Sequence, residues 1–423
     1  MNDQSITTDH PVIIAGAGPA GLALALCLHQ RGIPALVFEA VTELKPLGVG
    51  INLLPHAVRV LHDLGLREFL ERIAIQTSEL RYVNKFGQFI WAEPRGLGAG
   101  YRVPQYSIHR GDLQLLLLNA LQERLGMNVV LTSFALESWS ETPGGVNVQL
   151  REKSGAVRRV TGACLVAADG IHSAARRRLY PAEGPPRYAG RILWRAVTEA
   201  APFLDGRTMI MAGHQRQKFV AYPISREHAD RGRSLVNWIA ELDVPDWVTP
   251  RQDWNRQVSK GRFRERFATW DFGWLDIPAL IDGADAIYEY PMTDRDPLPR
   301  WSHGRMTLLG DAAHPMYPIG SNGASQAILD AESLANQLKA SSDVATALQA
   351  YDDERRPATA SIVLMNRANG PEQVMQLAEE RAPDGFSDIH DVIPARELEE
   401  IAALYKQVAG FSVEQVNRKA TEQ

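Results

Sequence analysis

The sequence predicts an α/β protein: a parallel-sheet domain interrupted by a mainly antiparallel β domain and followed by a helical carboxy-terminal tail. Three observations carry this. Runs at 12–15, 163–168 and 306–309, apolar but for Thr307, each end in a glycine-rich loop, the pattern of strands buried on both faces of a parallel sheet. Between residues 183 and 295 helical periodicity fades into short alternating runs rich in aromatics, which suits antiparallel strands. Beyond Asn369 apolar residues recur at spacings of three and four, so that segment is helical in its later part.

The first forty residues form the organising unit. Val12-Ile13-Ile14-Ala15 runs into Gly16-Ala17-Gly18-Pro19-Ala20-Gly21, and a helix over 22–30 stops at Gly32 with Pro34 beyond it. A second apolar run, 35–38, ends in Glu39. This strand, helix, strand order is a βαβ unit with a G-x-G-x-x-G turn. Gly16 permits the tight turn, Gly18 lets backbone approach a pyrophosphate, and Gly21 lets helix and strand pack closely. The helix N-terminus holds the pyrophosphate through its dipole and free N–H groups. Glu39 is placed to grip both hydroxyls of a ribose, and it would repel a 2′-phosphate. The unit therefore predicts a bound dinucleotide, but it does not separate NAD from FAD.

The bulk numbers exclude several function classes. With 423 residues, 45% hydrophobic and 22% charged, the chain suits a globular protein of two or so domains. A net charge of −5, with no basic block beyond Arg176-Arg177-Arg178, argues against nucleic acid; that triple is read as a solvated helix face. Cys27 and Cys164 sit in apolar segments as buried thiols, which fits a reducing cytoplasm. Residues 1–10 are polar and unlike a signal peptide, and no apolar stretch is long enough to span a membrane. Eleven histidines lie outside any H-E-x-x-H or C-x-x-C pattern, so no metal site is expected.

Taken in order, the chain continues with a glycine-punctuated loop over 45–52, containing Gly50 and Ile51, that leaves the second strand beside whatever the dinucleotide presents. A helix over 55–64 follows. Ser107-Ile108-His109-Arg110-Gly111-Asp112 precedes an apolar helix over 113–125, for which Asp112 is the expected N-cap, and Arg110 at the helix mouth suits a phosphate or a flavin edge, or else a surface ion pair. Residues 146–150 and 157–160, turned at Ser154-Gly155, predict an inserted hairpin. The run 163–168 then delivers Asp169-Gly170.

In the second domain, strands are expected at 192–197, 208–211, 219–222 and 234–240, and Trp194, Phe219, Tyr222, Trp238, Trp247, Trp254, Trp270 and Trp274 cluster there. Most aromatics in strands serve as core. The sheet is nonetheless expected to form one wall of an apolar pocket, with Met211, Tyr222 and Trp238 as candidate substrate contacts alongside Ile51 and Pro318.

The α/β pattern returns with 306–309, leading into Gly310-Asp311-Ala312-Ala313-His314-Pro315, then Pro318-Ile319-Gly320-Ser321-Asn322-Gly323, then a helix over 324–338. Strands ending in Asp169-Gly170 and Gly310-Asp311 bring two carboxylates to the sheet edge that carries the first glycine motif. That exceeds what NAD alone needs, whereas FAD, with a polyol between pyrophosphate and ring, uses it. The 320–323 turn and Ala324 then direct N–H groups and a positive dipole toward the flavin ring.

On these residues the chain resembles the class A flavoprotein aromatic hydroxylases of the para-hydroxybenzoate and salicylate hydroxylase type. The resemblance rests on Gly16-x-Gly18-x-x-Gly21 with Glu39, on Asp169-Gly170-x-x-Ser173-x-x-Arg176, and on Gly310-Asp311-Ala312-Ala313-His314 with Pro318 and Gly320, and it spans about residues 11 to 366. The stretches 47–52, 106–111, 221–225, 295–299 and 323–327 are most similar to the phenazine-carboxylate hydroxylases, which replace a ring carboxylate by hydroxyl.

The resemblance implies a Rossmann-like FAD-binding domain over 1–182 and 296–366 with an inserted β-hairpin, a substrate domain over 183–295, and a helical extension over 367–423. It implies an FAD-dependent monooxygenase acting on an aromatic or N-heteroaromatic acid or phenol through a flavin C4a-hydroperoxide, with O₂ and a transiently docked NADH or NADPH as co-substrates. Glu39 would hold the adenosine ribose, Arg110 and Asp311 the pyrophosphate and ribityl side, and Asp169 the phosphate site, while Pro318 and Gly320 would line the ring. The remaining alternatives are a same-fold FAD reductase or dehydrogenase that inserts no oxygen, and a flavin-binding protein without turnover. Either a monomer or a homodimer is compatible with the sequence.

Overall fold

The structure, a computed structural model, describes residues 10–46, 48–246 and 256–419. Its first layer is a five-stranded parallel sheet in the order Met306–Leu308, Leu165–Ala167, Val12–Ala15, Ala35–Glu39, Val130–Thr132. The three central strands are apolar up to Glu39 because helices cover them; Ile13, Ile14, Leu165, Val166 and, on the edge strand, Leu308 are fully buried. Helix Pro19–Gln30 is buried along most of its length and packs against both Gly323–Ala340 and Arg110–Leu125. Cys27 and Cys164 lie inside this core, and burial pushes both thiols up to about 12.

Two local expectations change. Helix Arg110–Leu125 starts directly from strand Tyr106–His109, so His109 occupies the N-cap position and Asp112 lies in the first turn, its charge on the helix dipole. The expected hairpin is a three-stranded antiparallel sheet, because Phe134–Thr142 pairs with Gly145–Glu152, which pairs with Val157–Gly162. The added strand carries Phe134, Leu136 and Trp139, and a bulge opposite Gln149 and Leu150 shifts its phase, so it lacks a clean alternation.

The second layer is a seven-stranded sheet in the order Tyr288–Asp294, Arg187–Ala200, Ser234–Asp243, Gln217–Pro223, Thr208–His214, Glu79–Val83, Phe89–Pro94. The last two strands come from the amino-terminal stretch, outside the expected 183–295, and Glu79–Val83 pairs in parallel with Thr208–His214. One face of this sheet packs on an aromatic core where Trp194 stacks on Phe263 at 4.6 Å and Phe219 on Trp238 at 5.7 Å. The other face looks toward the parallel-sheet domain. Trp247 and Trp254 lie outside the described residues.

The tail is helical over Gln373–Arg381 and Ala395–Val408, and it docks through Leu398 and Tyr405, both buried. Among the described residues no helix is long and apolar enough to cross a membrane, and no cluster of three His, Cys, Asp or Glu side chains is arranged to hold a metal ion.

Candidate active site

The carboxyl ends of the parallel strands open onto a trough. One end, about 480 Å³, is bordered by Gly16, Gly18, Glu39, Lys45, Arg110 and Asp169. The other, about 340 Å³, runs between Pro318–Ala324 and the seven-stranded sheet. Gly18, Arg110, Ala168 and Gly170 border both, so the two ends are continuous.

The first glycine motif behaves as its spacing demands. Gly16 has φ +112°, and a side chain there would collide with the Ala168 carbonyl. At Gly21 a Cβ would strike the Gly16 carbonyl, so this glycine sets the close approach of helix to strand. Gly18 faces open space, leaving the helix N-terminus, which has no side-chain cap, free for an anion. Glu39 accepts the Ala17 N–H at 2.8 Å and the Val41 N–H at 3.0 Å, one on each oxygen. Each oxygen keeps a second lone pair for a ribose hydroxyl.

Two carboxylates flank the trough. Asp169 accepts the Ala174 N–H at 2.8 Å through Oδ2, while Oδ1 is buried without a partner. Burial raises its pKa against the pull of Ser173 and the Ala174 N–H. Asp311 borders the other end, and the protein packed around the cleft raises its pKa despite the charges of His314 and Arg110. Arg110 makes no side-chain hydrogen bond or ion pair within the described chain and stands at the seam of the two ends. An orphaned carboxylate oxygen, an unspent guanidinium and an uncapped helix N-terminus fit the hydroxyls and pyrophosphate of a dinucleotide.

Sequence reasoning missed what holds the Asp311 loop. His314 Nε2 and Arg355 Nε, the latter at 2.8 Å, converge on Asp330, which is fully buried and also accepts the Gly310 N–H. Burial pushes Asp330 up, but His314 and Arg355 outweigh it and hold its pKa below the usual value. Arg176 is also buried rather than on a solvated face; its guanidinium donates to the carbonyls of Ala312, Ala313 and Asp296, and only Arg177 and Arg178 are exposed. The Ser173-x-x-Arg176 spacing was the available signal.

Gly310 has φ +61° and does not border the trough; it makes the turn that presents Asp311 and packs on Ala20 and Ala327. Gly320 requires correction as a ring-lining residue. It has φ +68°, the space beside its Cα is filled by the Tyr405 ring, and its neighbours Pro318, Ile319, Ser321 and Asn322 border the cavity instead. Gly323 and Ala324 border the cavity at the start of helix Gly323–Ala340, which has no side-chain cap. Asn322 is wholly buried there with Nδ2 lacking an acceptor.

Strand register sets the opposite wall. Arg195, Ile239, Val220 and Met211 form one cross-strand row, and Leu193, Glu241 and Lys218 form the next, all bordering the cavity. Ile51 and Tyr222 border it as well. Trp238 does not. Its parity is opposite to that of Ile239, so it is fully buried in the aromatic core, donating to Thr198 Oγ1 at 2.9 Å. Gly50 is pinned to this wall: its N–H donates to Asn237 at 2.7 Å, and its carbonyl accepts from Tyr222 at 2.9 Å and Arg195 at 3.0 Å.

Charged groups on the wall were not foreseen. Arg195 has no carboxylate within ion-pair distance among the described residues, and its Nε is buried without an acceptor. Lys218 Nζ lies 2.9 Å from Glu241 and 2.5 Å from Glu372, and Arg191 lies 2.8 Å from the other oxygen of Glu241. Charges at the inward parity of an otherwise apolar strand were the legible sign for Lys218 and Glu241. Glu372 had none, since it arrives from the tail.

Comparison with known proteins agrees with this geometry. The family model described as "FAD binding domain" matches residues 9–365. The phenazine 1,6-dicarboxylic acid hydroxylase PhzS of Lysobacter antibioticus is 48% identical over 369 residues, covering 86% of this chain and 91% of its own. The 3-amino-4-hydroxybenzoate 2-monooxygenase PtnB3 of Streptomyces platensis is 33% identical over 377 residues, covering 87% and 89%. Among solved structures, Klebsiella pneumoniae HpxO complexed with FAD and uric acid shares the fold, with a TM-score of 0.71 at 23% identity over 97% of this chain and 96% of that one. The chain therefore belongs to the FAD binding domain family, and it is a class A FAD-dependent aromatic monooxygenase.

Proposed function

We propose that this enzyme hydroxylates an N-heteroaromatic carboxylic acid of the phenazine class, with NADH or NADPH as reductant and O₂ as oxygen source, in the reducing cytoplasm. The observation that carries this is Arg195, a cation without a carboxylate partner among the described residues, in a cavity walled by Leu193, Met209, Met211, Val220 and Ile239. Such a site suits a flat apolar ring bearing one carboxylate. The relative that is 48% identical is named for a phenazine dicarboxylic acid, a flat N-heteroaromatic ring that likewise offers a carboxylate to such a cation.

Bound FAD supplies hydride acceptance and oxygen activation; the protein supplies position and dryness. Glu39 holds the adenosine ribose, and Arg110 with the N-terminus of Pro19–Gln30 holds the pyrophosphate. Asp169 supports the phosphate side and Asp311 the ribityl hydroxyls. The N–H groups at the start of Gly323–Ala340 favour negative charge on the ring. Arg195 orients the substrate by its carboxylate, and the apolar wall excludes water from the reacting carbon.

The test is NADH and NADPH consumption with phenazine-1-carboxylate under ¹⁸O₂, followed by mass spectrometry of the product. The expected result is substrate-stimulated consumption and one ¹⁸O in a hydroxylated product, and CO₂ release reports whether the carboxyl is replaced. Stimulated consumption without ¹⁸O in product would favour a reductase or dehydrogenase instead.

A further inference from the structure

We propose that Lys218, held between Glu241 and Glu372, is the hydrogen-bond donor that reads a ring nitrogen of the substrate, and that Glu372 makes the carboxy-terminal extension part of the substrate site. This rests on the N-heteroaromatic reading above. An ammonium has three N–H bonds. Two are spent, on Glu241 at 2.9 Å and Glu372 at 2.5 Å, and all three residues border the cavity. One donor remains for a ligand.

Charge balance decides what kind of ligand. Arg191 and Lys218 match Glu241 and Glu372, so the buried cluster is neutral when both carboxylates are ionised. Lys218 is 4% exposed and Glu241 1%; the two carboxylates outweigh burial and raise the pKa of the ammonium, while burial raises that of Glu372 against the pull of Lys218, so the cluster is neutral where the 2.5 Å Lys218 contact keeps Glu372 ionised. A second carboxylate pushed against this neutral, desolvated cluster would leave an uncompensated buried charge. A neutral acceptor such as a ring nitrogen takes the third N–H without that penalty. Arg195, by contrast, has no anionic partner among the described residues and serves the carboxylate. The site thus reads two points of one ligand, its acid on Arg195 and its heteroatom on Lys218.

The cluster is incomplete without the tail. Glu372 ends the short turn Gly370–Glu372, which is held against the 319–321 turn and the tail helix that carries Tyr405. Through Glu372 the tail therefore supplies part of the polar end of the pocket.

The test uses FAD-loaded enzyme without reductant and reads perturbation of the visible flavin spectrum as ligand is added. Phenazine-1-carboxylate is compared with anthracene-1-carboxylate, which has the same outline with CH in place of each nitrogen. Wild type is expected to bind the phenazine about tenfold more tightly, the weight of one buried hydrogen bond. The double variant Lys218→Met/Glu372→Gln keeps charge balance and the Arg191–Glu241 pair, and it should bind the two ligands equally. An unchanged preference in the variant, or equal binding by wild type, overturns the assignment of Lys218. If neither ligand perturbs the wild-type flavin, the phenazine-class reading fails and takes this proposal with it.

Glu372→Gln alone preserves shape while leaving the cluster cationic. It should improve binding of phenazine-1,6-dicarboxylate relative to the monocarboxylate several-fold. No change in that ratio would overturn the claim that the neutrality of the cluster selects the ligand.

Discussion

Asp311 and Trp238 mark the two kinds of position that matter here, one borne on a loop at the cleft and the other one residue out of phase with it. Asp311 borders the trough on a loop whose backbone is fixed by Asp330, His314 and Arg176, so the residue is already positioned before a ligand arrives. Asp311→Ala should cost about 1–3 kcal/mol of cofactor binding, the value of hydrogen bonds to a charged group. The check is the ratio of flavin to protein absorbance after purification, expected to fall well below that of wild type; full occupancy would remove Asp311 from the cofactor site. Trp238 instead fills the aromatic core against Phe219 and Phe263. Trp238→Ala should therefore destabilise by about 3–5 kcal/mol, read as a lower urea midpoint. Met211→Ala should act the other way round, with its larger effect on ligand affinity, since Met211 lines the cavity. This pair shows what limited the sequence reading. Alternation fixes which residues share a face, but it does not say which face meets the cofactor. Large aromatics drew attention to the wall that faces away from it.

At the scale of elements, the loops after the parallel strands were legible because glycine and carboxylate spacing reflects backbone geometry that few other residues permit. Gly16, Gly21 and Gly320 all stand where a Cβ would meet another part of the chain. The buried braces were illegible because their partners are distant in sequence: Arg176 reaches Ala313, and Arg355 reaches Asp330. The strands Glu79–Val83 and Phe89–Pro94 escaped for a related reason, since their neighbour is set by tertiary pairing and not by any local signal. The Asp330 brace carries a pH prediction. Its folded pKa is depressed by His314 and Arg355, so its contribution is fully present above the unfolded value of about 3.9 and is lost as pH falls through the lower folded value. Asp330→Asn should cost about 3–5 kcal/mol near neutral pH. The gap in urea midpoint between wild type and variant should narrow as the pH is taken below about 4. A gap independent of pH would show that Asp330 does not act through its charge. The Gly320 turn makes a different prediction. The Tyr405 hydroxyl shares its one proton between the Ile319 carbonyl at 3.2 Å and Asn366 Oδ1 at 3.1 Å while its ring fills the space beside Gly320. Gly320→Ala should displace the tail and be read as faster proteolysis between residues 370 and 408, with flavin retained less well.

At the scale of the whole molecule, the chain builds separate apolar cores and places the trough between them. One core wraps the parallel sheet from Val12 to Tyr351, another is the aromatic cluster behind the seven-stranded sheet, and a third joins the cavity face of that sheet to the tail. The contacts that cross the trough are polar where Gly50 is held by Asn237, Tyr222 and Arg195, and apolar where Tyr317 and Ile319 join the cavity face of the sheet. A dinucleotide held by Glu39 and Arg110 at one end, with its ring against Pro318 and the sheet at the other, would bridge these cores. It binds only the folded arrangement, so at about a hundredfold excess over its dissociation constant it adds about 2.7 kcal/mol to the stability of that arrangement. Calorimetry of the flavin-free protein is therefore expected to show a broad or split transition, the sheet bodies unfolding at different temperatures. Added FAD should merge and raise it, with a midpoint that climbs with FAD concentration. ADP occupies only the Glu39 and Arg110 end, so it should raise the midpoint of the parallel-sheet body without merging the two. Equal effects of ADP and FAD would mean that the flavin half does not couple the sheets, and the protein's own contacts, those of Gly50, Tyr317, Ile319 and the tail among them, would then hold the trough closed.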